Sequence, residues 1–353
     1  MRTIMLIDMD YFFVACEEIK RPELRTRPTI VGADPKEGRG RGVVMTCNYV
    51  ARKLGIHSAM PISSAYKIAP DAEFLPMDYP YYERKSNEAF GIIKDFSEKT
   101  EQVSIDEFFI DVSSKVNNSE DALLLAGKIK SSINSEAKLP CSIGISSTKL
   151  VAKMACEKAK PDGIKIVGEE EAAKFIWPLS VGELYGVGIK TRERLEKMGY
   201  GTIGDLAKAN IMLLMKEFDS FGIELHNLSN CIDTREVIEN YEVKSISKEY
   251  TFEKDTSKDE EIIKSIRKLS AEVGKEISGK GLSYRTVTVK LRYMDFTEHL
   301  HSRSIRPTGN AGDIEKTAVE LYRENVDKGK KVRKIGIRAS GLLDYKNQKL
   351  LFG

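Results

Sequence analysis

Two apolar stretches that contain acids decide how this chain folds: MLIDMD at Met5–Asp10 and SIDEFFIDV at Ser104–Val112. Short apolar runs bounded by polar residues are typical of buried β-strands. A carboxylate at the end of such a strand has a large desolvation cost unless a positive group compensates for it. Several converging oxygen ligands suit Mg²⁺ well. The two stretches therefore predict a sheet that carries a metal site.

The acids of these stretches are candidates for catalysis. Two-metal phosphoryl transfer needs bridging carboxylates that keep the ions about 3.5 to 4 Å apart. Asp8, Asp106 and Glu107 fit this requirement. The alternative is that these acids are turn residues that cap strands, and two acid pairs on two apolar strands make this alternative weaker. For Asp10 and Asp111 this alternative keeps its full weight.

The order of segments along the chain predicts several domains. Up to residue 165, strand-like segments alternate with helical patterns, which favours a mixed sheet with helices packed on it. Short helical patterns follow over residues 168–240, and a polar linker is expected at 232–245. From residue 244, the order strand, helix, strand, strand, helix, strand suits a small α+β sandwich. The clearest helices are expected over residues 81–98, 121–136, 148–160, 259–278 and 313–324.

Composition excludes several classes of protein. The 353 residues contain no stretch of eighteen apolar residues and no export signal, so we expect a cytoplasmic monomer without membrane contact. The five cysteines lack C-x-x-C spacing, which indicates neither a disulfide framework nor a zinc site. The net charge of +3 is uneven, because Lys and Arg outnumber Asp and Glu only from Tyr241 onward.

Four segments resemble, in order and spacing, the active-site segments of Y-family DNA polymerases, with the polymerase IV or DinB-like branch as the nearest match. They are IDMDYFF (7–13), TCNYVARKLGI (46–56), SIDEFFIDV (104–112) and AKPDGIKIV (159–167). The resemblance implies an α+β multidomain, right-hand fold with a ferredoxin-like palm, small fingers, a helical thumb with a helix-hairpin-helix, and an α+β little finger. The implied boundaries are 1–165 for palm and fingers, with the fingers at about 28–78, then 166–240 for the thumb, 241–343 for the little finger and 344–353 for an exposed tail.

The same resemblance implies a template-directed DNA polymerase of the translesion type. Such an enzyme adds deoxynucleotides to a primer 3'-OH with two Mg²⁺ ions, and its partners are primer-template DNA and deoxynucleoside triphosphates. Small residues in the fingers predict an open pocket and low fidelity, and nothing in the sequence indicates a proofreading exonuclease. The resemblance treats Glu107 as catalytic and assigns the ions to Asp8, Asp106, Glu107 and the backbone carbonyl of Met9.

The segment TCNYVARKLG indicates a triphosphate site. Tyr49 and Arg52 are three residues apart and share a helix face near its N-terminus, where backbone N–H groups favour phosphate. Taken alone, Arg52 and Lys160 would be interpreted as solvated surface charges. The resemblance places Thr46, Tyr49, Arg52 and Lys160 on the triphosphate.

Sugar selection is the role that the resemblance implies for Phe13. The residue follows Asp8 by five positions, and from the sequence alone it is a core aromatic. In Y-family polymerases the corresponding aromatic lies beneath the sugar and leaves no room for a 2'-hydroxyl. Phe13 is therefore the candidate steric gate.

Two further regions carry candidate DNA contacts. ELYGVGIKTRERLEKMG (183–199) predicts a helix-hairpin-helix whose Gly186 and Gly188 expose backbone N–H groups to a phosphate, although such turns also occur where nothing is bound. The alternating strand YRTVTVKLRYM (284–294) predicts one packed face and one basic face. A solvated sheet face is the alternative. The predicted basic face consists of Lys290, Arg292, Arg303, Lys334 and Arg338.

The last residues, NQKLLFG, resemble the short peptides by which polymerases dock on a sliding clamp, through Gln348, Leu351 and Phe352. Two other functions compete with the polymerase. A nucleotide cyclase-like enzyme also sets paired carboxylates and two metals on a mixed sheet, but it needs no primer. A non-catalytic DNA-binding scaffold would not need the acids that this chain retains.

Overall fold

The protein is described by a computed structural model that covers residues 2–239 and 243–344. The chain forms two compact units, Met1–Asn240 and Tyr241–Gly353. The first unit contains the strands β1 Ile4–Met9, β2 Thr29–Gly32, β3 Val44–Cys47, β4 Glu73–Leu75, β5 Lys99–Gln102, β6 Glu107–Asp111, β7 Cys141–Ser146 and β8 Ile164–Ile166. Its helices are α1 Phe12–Lys20, α2 Tyr49–Lys53, α3 Ile62–Ile68, α4 Tyr79–Lys94, α5 Ser119–Ser132, α6 Lys149–Ala159, α7 Glu169–Ile176, α8 Ile189–Lys197, α9 Ile203–Ala207, α10 Ile211–Phe218 and α11 Ser220–Ser229.

The main sheet of the first unit has five strands in the order β5-β6-β1-β7-β8. Every residue of β1 is buried, because helices cover both faces of the sheet. Met5, Ile7 and Met9 pack with residues of α1, α4 and α5. Ile4 and Leu6 point the other way, towards α6. This explains why the strand is an apolar run without polar alternation.

Helix α6 lies unusually close to β7. A Cβ atom added to Gly144 of β7 would lie 2.0 Å from the carbonyl oxygen of Ala152 and 2.3 Å from the nitrogen of Cys156. Only glycine permits this approach. Any side chain at this position would displace α6, which carries several charged residues of the candidate site.

The remaining parts of the first unit are a small sheet and a helical region. The small sheet has the order β3-β2-β4. Residues 168–239 contain the helices α7 to α11, as the sequence predicts. The sequence did not predict β4, β5 and β8, which have only three or four residues each; β5, KTEQ, contains no apolar residue and so gives no hydrophobic pattern.

The predicted linker over residues 232–245 contains the division between the two units, but its first half packs on the first unit. Asp233 accepts a hydrogen bond from the Leu150 N–H at 2.9 Å, and Val237 is buried. Glu101 accepts one from the Ile238 N–H at 2.9 Å and forms a buried ion pair with Lys149 at 2.5 Å. Removing one partner of such a pair costs about 3 to 5 kcal/mol. Local polarity suggested a linker, but long-range partners satisfy these groups.

The second unit is an α+β sandwich. It contains β9 Ser245–Thr256, α12 Asp259–Gly279, β10 Leu282–Tyr293, β11 Glu298–Thr308, α13 Ala311–Asn325, β12 Val332–Ser340 and β13 Leu343–Asp344. The sheet order is β11-β10-β12-β9, all antiparallel, and both helices pack on one face. The predicted order of strands and helices is confirmed. Within residues 2–239 and 243–344, no helix is long and apolar enough to cross a bilayer.

Candidate active site and nucleic-acid interface

Strand register brings two of the predicted acids together. Asp8 of β1 lies directly opposite Glu107 of β6, and Ser142 of β7 lies on its other side. Residues directly opposite each other in antiparallel strands point to the same face. Alternation along β1 places Asp8 on the face of Ile4 and Leu6, which is the face covered by α6. The charged residues of α6 therefore meet these carboxylates.

Lysines from α6 and the residue that follows it neutralise the acids. Lys160 Nζ lies 2.7 Å from both Asp8 Oδ2 and Glu157 Oε1. Lys153 Nζ lies 2.6 and 2.7 Å from the two carboxylate oxygens of Glu107. Burial, only partly opposed by Lys160, raises the pKa of Asp8 to about 8. The single ammonium group of Lys160 thus does not offset the desolvation of the Asp8 carboxylate. A cation of higher charge, such as Mg²⁺, would stabilise the ionised carboxylate better.

The carboxylates that lie closest together differ in part from the predicted set. Among the described residues, one oxygen each of Asp8, Glu107 and Glu157 lies within 4.8 Å of the others. Asp106 is not in this group: its Oδ1 accepts a hydrogen bond from Ser104 Oγ at 2.6 Å, and its backbone carbonyl accepts one from the Met9 N–H at 2.9 Å. Burial raises the pKa of Asp106, and Glu107 adds to this effect.

Sequence reasoning did not find Glu157, an exposed acid on α6. Its spacing from Lys153 and Lys160, four residues and three, was the available signal, because such positions share a helix face. Asp10 is buried and accepts hydrogen bonds from Ser142 Oγ at 3.0 Å and from the Asp162 N–H at 2.7 Å. These partners support the structural interpretation of Asp10.

Three of the four predicted triphosphate residues, Thr46, Tyr49 and Arg52, lie around the start of α2, and Lys160 follows α6. Asn48 caps this helix by accepting a hydrogen bond from the Ala51 N–H, and Thr46 is buried on β3. The guanidinium of Arg52 lies 4.9 Å from the Tyr49 ring centroid. Tyr49 Oη is buried and has no hydrogen-bond partner in the described part of the chain. Such an orphaned hydroxyl is rare and suits a polar ligand.

Electrostatics place Tyr49 beside the acids. Burial raises the pKa of Tyr49 to about 12, and the charge of Asp10 adds to the shift while Arg52 and Lys160 oppose it. The structure therefore brings Tyr49, Arg52 and Lys160 into one charged region.

The ring of Phe13 is held by aromatic neighbours. Phe13 is the second residue of α1 and is half-buried. Its ring centroid lies 4.9 Å from that of Tyr82, whose hydroxyl donates a hydrogen bond to Glu17 at 2.9 Å. Tyr11, just before the helix, has a left-handed φ of 38°. The ring is fixed by packing and remains partly accessible.

The helix-hairpin-helix glycines are exposed and open to a ligand. Gly186 has a φ of 90°, which favours glycine, and Gly188 precedes the first residue of α8. A Cβ atom added to either glycine would meet no atom of the described residues within 4 Å. Both glycines are therefore open to an approaching ligand on the side that a side chain would occupy.

The basic face of β10 contains acids as well as cations. Val287, Val289, Leu291 and Tyr293 are buried against the helices, as predicted, and Lys290 and Arg292 point to the other face. Register places Lys334 opposite Arg292, and Arg338 opposite Thr288, on this same face. Glu249 pairs with Lys290 and Lys334, while Glu298 pairs with Lys290 and Arg292.

The placement of Arg303 on this face is wrong. Arg303 lies opposite Val287, so it points to the face that carries the helices. Its guanidinium pairs there with Glu320 at 2.7 Å and Glu324 at 2.6 Å, both on α13. A shift of one residue in register moves a side chain to the other face of a sheet, and the sequence does not specify that register.

The predicted clamp-docking residues Gln348, Leu351 and Phe352 lie outside the described residues. The contact of this tail with a sliding clamp stays a prediction. The cytoplasmic location and the monomeric state also stay predictions.

Comparisons with known proteins assign successive parts of the chain to the same family. Residues 7–157 match the model of the impB/mucB/samB family, residues 169–200 match the IMS family HHH motif, and residues 243–351 match the impB/mucB/samB family C-terminal domain. DNA polymerase IV 2 of Methanosarcina mazei is 39% identical, over 99% of this chain and 95% of its own length. DNA polymerase IV of Methanoculleus marisnigri is 41% identical, over 97% of this chain and 94% of its own length.

Solved structures show the same fold. A Y-family DNA polymerase chimera of Dbh and Dpo4 superposes with a TM-score of 0.89 at 30% identity, over 97% of this chain and 99% of the chimera. An insertion ternary complex of Dbh DNA polymerase gives a TM-score of 0.68 at 29% identity, over 96% and 98% of the two chains. This chain therefore belongs to the impB/mucB/samB family, within the polymerase IV branch of Y-family DNA polymerases. It is a DNA-directed DNA polymerase of the translesion type with the right-hand fold of that family.

Proposed function

We propose that Asp8, Asp106, Glu107 and the carbonyl of Met9 hold two Mg²⁺ ions at which deoxynucleotides are joined to a primer 3'-OH. The observation that carries this proposal is the pairing of Asp8 with Glu107 across two buried strands. Their nearby cations are the ammonium groups of Lys160 and Lys153. The donor set consists of oxygens alone, which is the chemistry that Mg²⁺ prefers.

When bound, Mg²⁺ ions activate the attacking hydroxyl and neutralise the triphosphate. The protein contributes orientation and charge. Glu107 and Asp8 project from neighbouring strands of a packed sheet, so their positions change little during the reaction. Asp106 is held by Ser104, although its carboxylate lies outside the closest group of acids. We propose that a bound nucleotide completes the arrangement around it.

The triphosphate is proposed to bind Thr46, Tyr49, Arg52 and Lys160. Arg52 suits a bidentate grip on phosphate, which a lysine does not provide. The unpaired Tyr49 hydroxyl supports this placement, because a phosphate oxygen would supply its missing partner. Lys160 is already in the site through its contact with Asp8.

The sugar is proposed to lie against Phe13. A rigid ring at that position excludes a 2'-hydroxyl without any hydrogen bond. The support for this role is the packing of Phe13 on Tyr82, which keeps the ring from moving aside.

DNA is proposed to contact two surfaces through its phosphates. The first is the backbone of Gly186 and Gly188, and the second is the face of Lys290, Arg292, Lys334 and Arg338. Both contacts are independent of base sequence. These roles accompany the proposed palm and fingers at 1–165, thumb at 166–240 and little finger at 241–343.

The test of the metal proposal is a measurement of ion binding and of primer extension on the same protein. We expect incorporation to need both primer-template and a divalent cation. Manganese titration, followed by electron paramagnetic resonance, should show two ions per chain when primer-template and a non-reactive nucleotide are present. Binding of a single ion would contradict the two-ion proposal. Incorporation without primer would favour the cyclase-like alternative.

A second prediction concerns the basic face. The double variant Lys290→Gln, Arg292→Gln should bind DNA of every sequence more weakly. The slope of log K against log salt should also become less steep by about two, one for each lost phosphate contact. Glu249→Gln is the matched control: it removes an acid from the same face and should strengthen binding. An unchanged slope in the double variant would show that this face is only solvated.

A further inference from the structure

The connection between β10 and β11 exposes two large apolar side chains. Met294 is 53% exposed and Phe296 is 62% exposed. Phe296 also has a left-handed φ of 64°, which is strained for a bulky residue. Asp295 holds the turn in this shape by accepting hydrogen bonds from the Thr297 N–H at 3.0 Å and the Thr297 hydroxyl at 2.6 Å. Phe296 thus combines a strained backbone conformation with an aromatic side chain exposed to solvent.

A second loop and a cation at the start of β12 lie beside this turn. The loop of residues 326–331 joins α13 to β12, and its Lys331 carbonyl accepts a hydrogen bond from the Met294 N–H at 2.9 Å. Lys330 pairs with Asp295 at 2.6 Å. The Arg333 guanidinium, at the start of β12, lies 4.5 Å from the Phe296 ring centroid. The two loops therefore form one surface.

The charge of this surface is positive on balance. Its cations are Lys328, Lys330, Lys331 and Arg333, and its acids are Asp295, Asp327 and Asp255, whose Oδ1 lies 3.9 Å from the Arg333 guanidinium. Lys328 and Lys331 are exposed, and neither forms an ion pair within residues 243–344. Free lysines beside an exposed aromatic ring complement a polyanion that also offers flat apolar groups.

Unpaired nucleic acid has this combination of properties. Its phosphates attract cations, and its bases stack on aromatic side chains irrespective of sequence. The bases of a duplex are already stacked inside the helix, so a duplex has little use for an exposed ring. A purely apolar protein partner would not require the lysines.

We propose that the tip surface, formed by Met294, Phe296, Lys328, Lys331 and Arg333, binds an unpaired DNA strand by stacking a base on Phe296. The identification of this strand as single-stranded template rests on the proposed polymerase function. The other face of the Phe296 ring already carries Arg333, so a bound base would complete a stack of guanidinium, ring and base.

The experiment compares two labelled primer-templates in fluorescence anisotropy with the full chain. One has a blunt template end and the other has a 5' overhang of about six unpaired nucleotides. The overhang should strengthen binding by the wild-type protein, and the gain is the ratio of the Kd for the blunt DNA to the Kd for the overhanging DNA. Phe296→Ala should reduce this gain by about tenfold, whereas Phe296→Trp should preserve it because the larger ring still stacks. Tyr250→Ala, which removes another exposed aromatic of the second unit, should leave the gain unchanged.

A further variant separates loss of the ring from loss of folding. Phe296→Gly removes the ring and also relieves the left-handed strain, so its melting temperature should not fall while its gain from the overhang does. An undiminished gain in Phe296→Ala would overturn the proposal and leave the surface to another partner, such as an acidic protein. If Phe296→Ala weakened the binding of blunt and overhanging DNA equally, this result would also overturn the proposal, because the surface would then bind duplex. Failure of the polymerase proposal would appear separately, as a lack of primer extension by the wild-type protein.

Discussion

Asp8→Asn, Asp106→Asn and Glu107→Gln are each expected to reduce primer extension by on the order of a thousandfold, whereas Glu157→Gln should reduce it by less than about tenfold. Each change removes one negative charge with little change in shape. The comparison is informative because Glu157, and not Asp106, lies in the closest group of carboxylates. Glu157 is exposed and is held by Lys160 outside the sheet, whereas Asp8 is buried near the end of β1, and Asp106 and Glu107 are half-buried at the start of β6. The measurement is single-turnover incorporation on one primer-template.

Stability measurements control for misfolding of these variants. Burial raises the pKa of Asp8 above the usual value for an aspartate, which means that the fold disfavours the charged form in the metal-free protein. Asp8→Asn should therefore melt no lower than the wild type in the presence of a chelator. Equilibrium binding of primer-template should change little. A Glu157→Gln variant as inactive as Asp8→Asn would add Glu157 to the catalytic set, and an active Asp106→Asn would remove Asp106 from it.

Phe13→Ala is expected to change sugar selection by about a hundredfold. If the ring fills the space below the sugar, a ribonucleotide binds only by displacing the ring or by shifting its own triphosphate. A misplacement of about 1 Å costs on the order of a hundredfold in rate. The quantity to measure is the ratio of kcat/KM for a deoxynucleotide to that for the matching ribonucleotide, on one template. Deoxynucleotide incorporation itself should fall much less.

Two variants serve as controls for Phe13. Phe13→Tyr keeps the ring and should retain the discrimination. Phe90→Ala removes a partly buried ring of the same core that stacks on Phe108 and not on Phe13, and it should leave the ratio at its wild-type value. A wild-type ratio in a folded, active Phe13→Ala variant would return Phe13 to a core role.

Much of the architecture followed from local patterns. The runs at β1, β6 and β7 are apolar without polar alternation, because the sheet is buried on both faces. The order of strands and helices in the second unit followed from periodicity. Short edge strands such as β5 did not follow, because their pairing depends on neighbours and not on their own composition.

Part of the candidate site was also visible in the sequence. Asp8 and Glu107 lie at the ends of apolar strands, so the cost of burying a carboxylate there identifies both as candidates from the sequence alone. Their lysine partners were not predictable in the same way. Lys153 and Lys160 have no unusual local context, and their contacts with Glu107 and Asp8 exist because Gly144 lets α6 lie on that face of the sheet.

Local composition and spacing thus established the longer helices and strands, the acid pairs and the alternating strand of the second unit, because burial and periodicity are properties of neighbouring residues. Only tertiary structure decided which side chains meet. Arg303 shows the difference: its charge suggested the basic face, but pairing with Val287 turned it towards Glu320 and Glu324. The region around Phe296 shows it again, since the pairing of distant segments brings its ring to Arg333 at the start of β12. The physical reason is that strand register and helix packing are set by the whole core, which no short stretch of sequence contains.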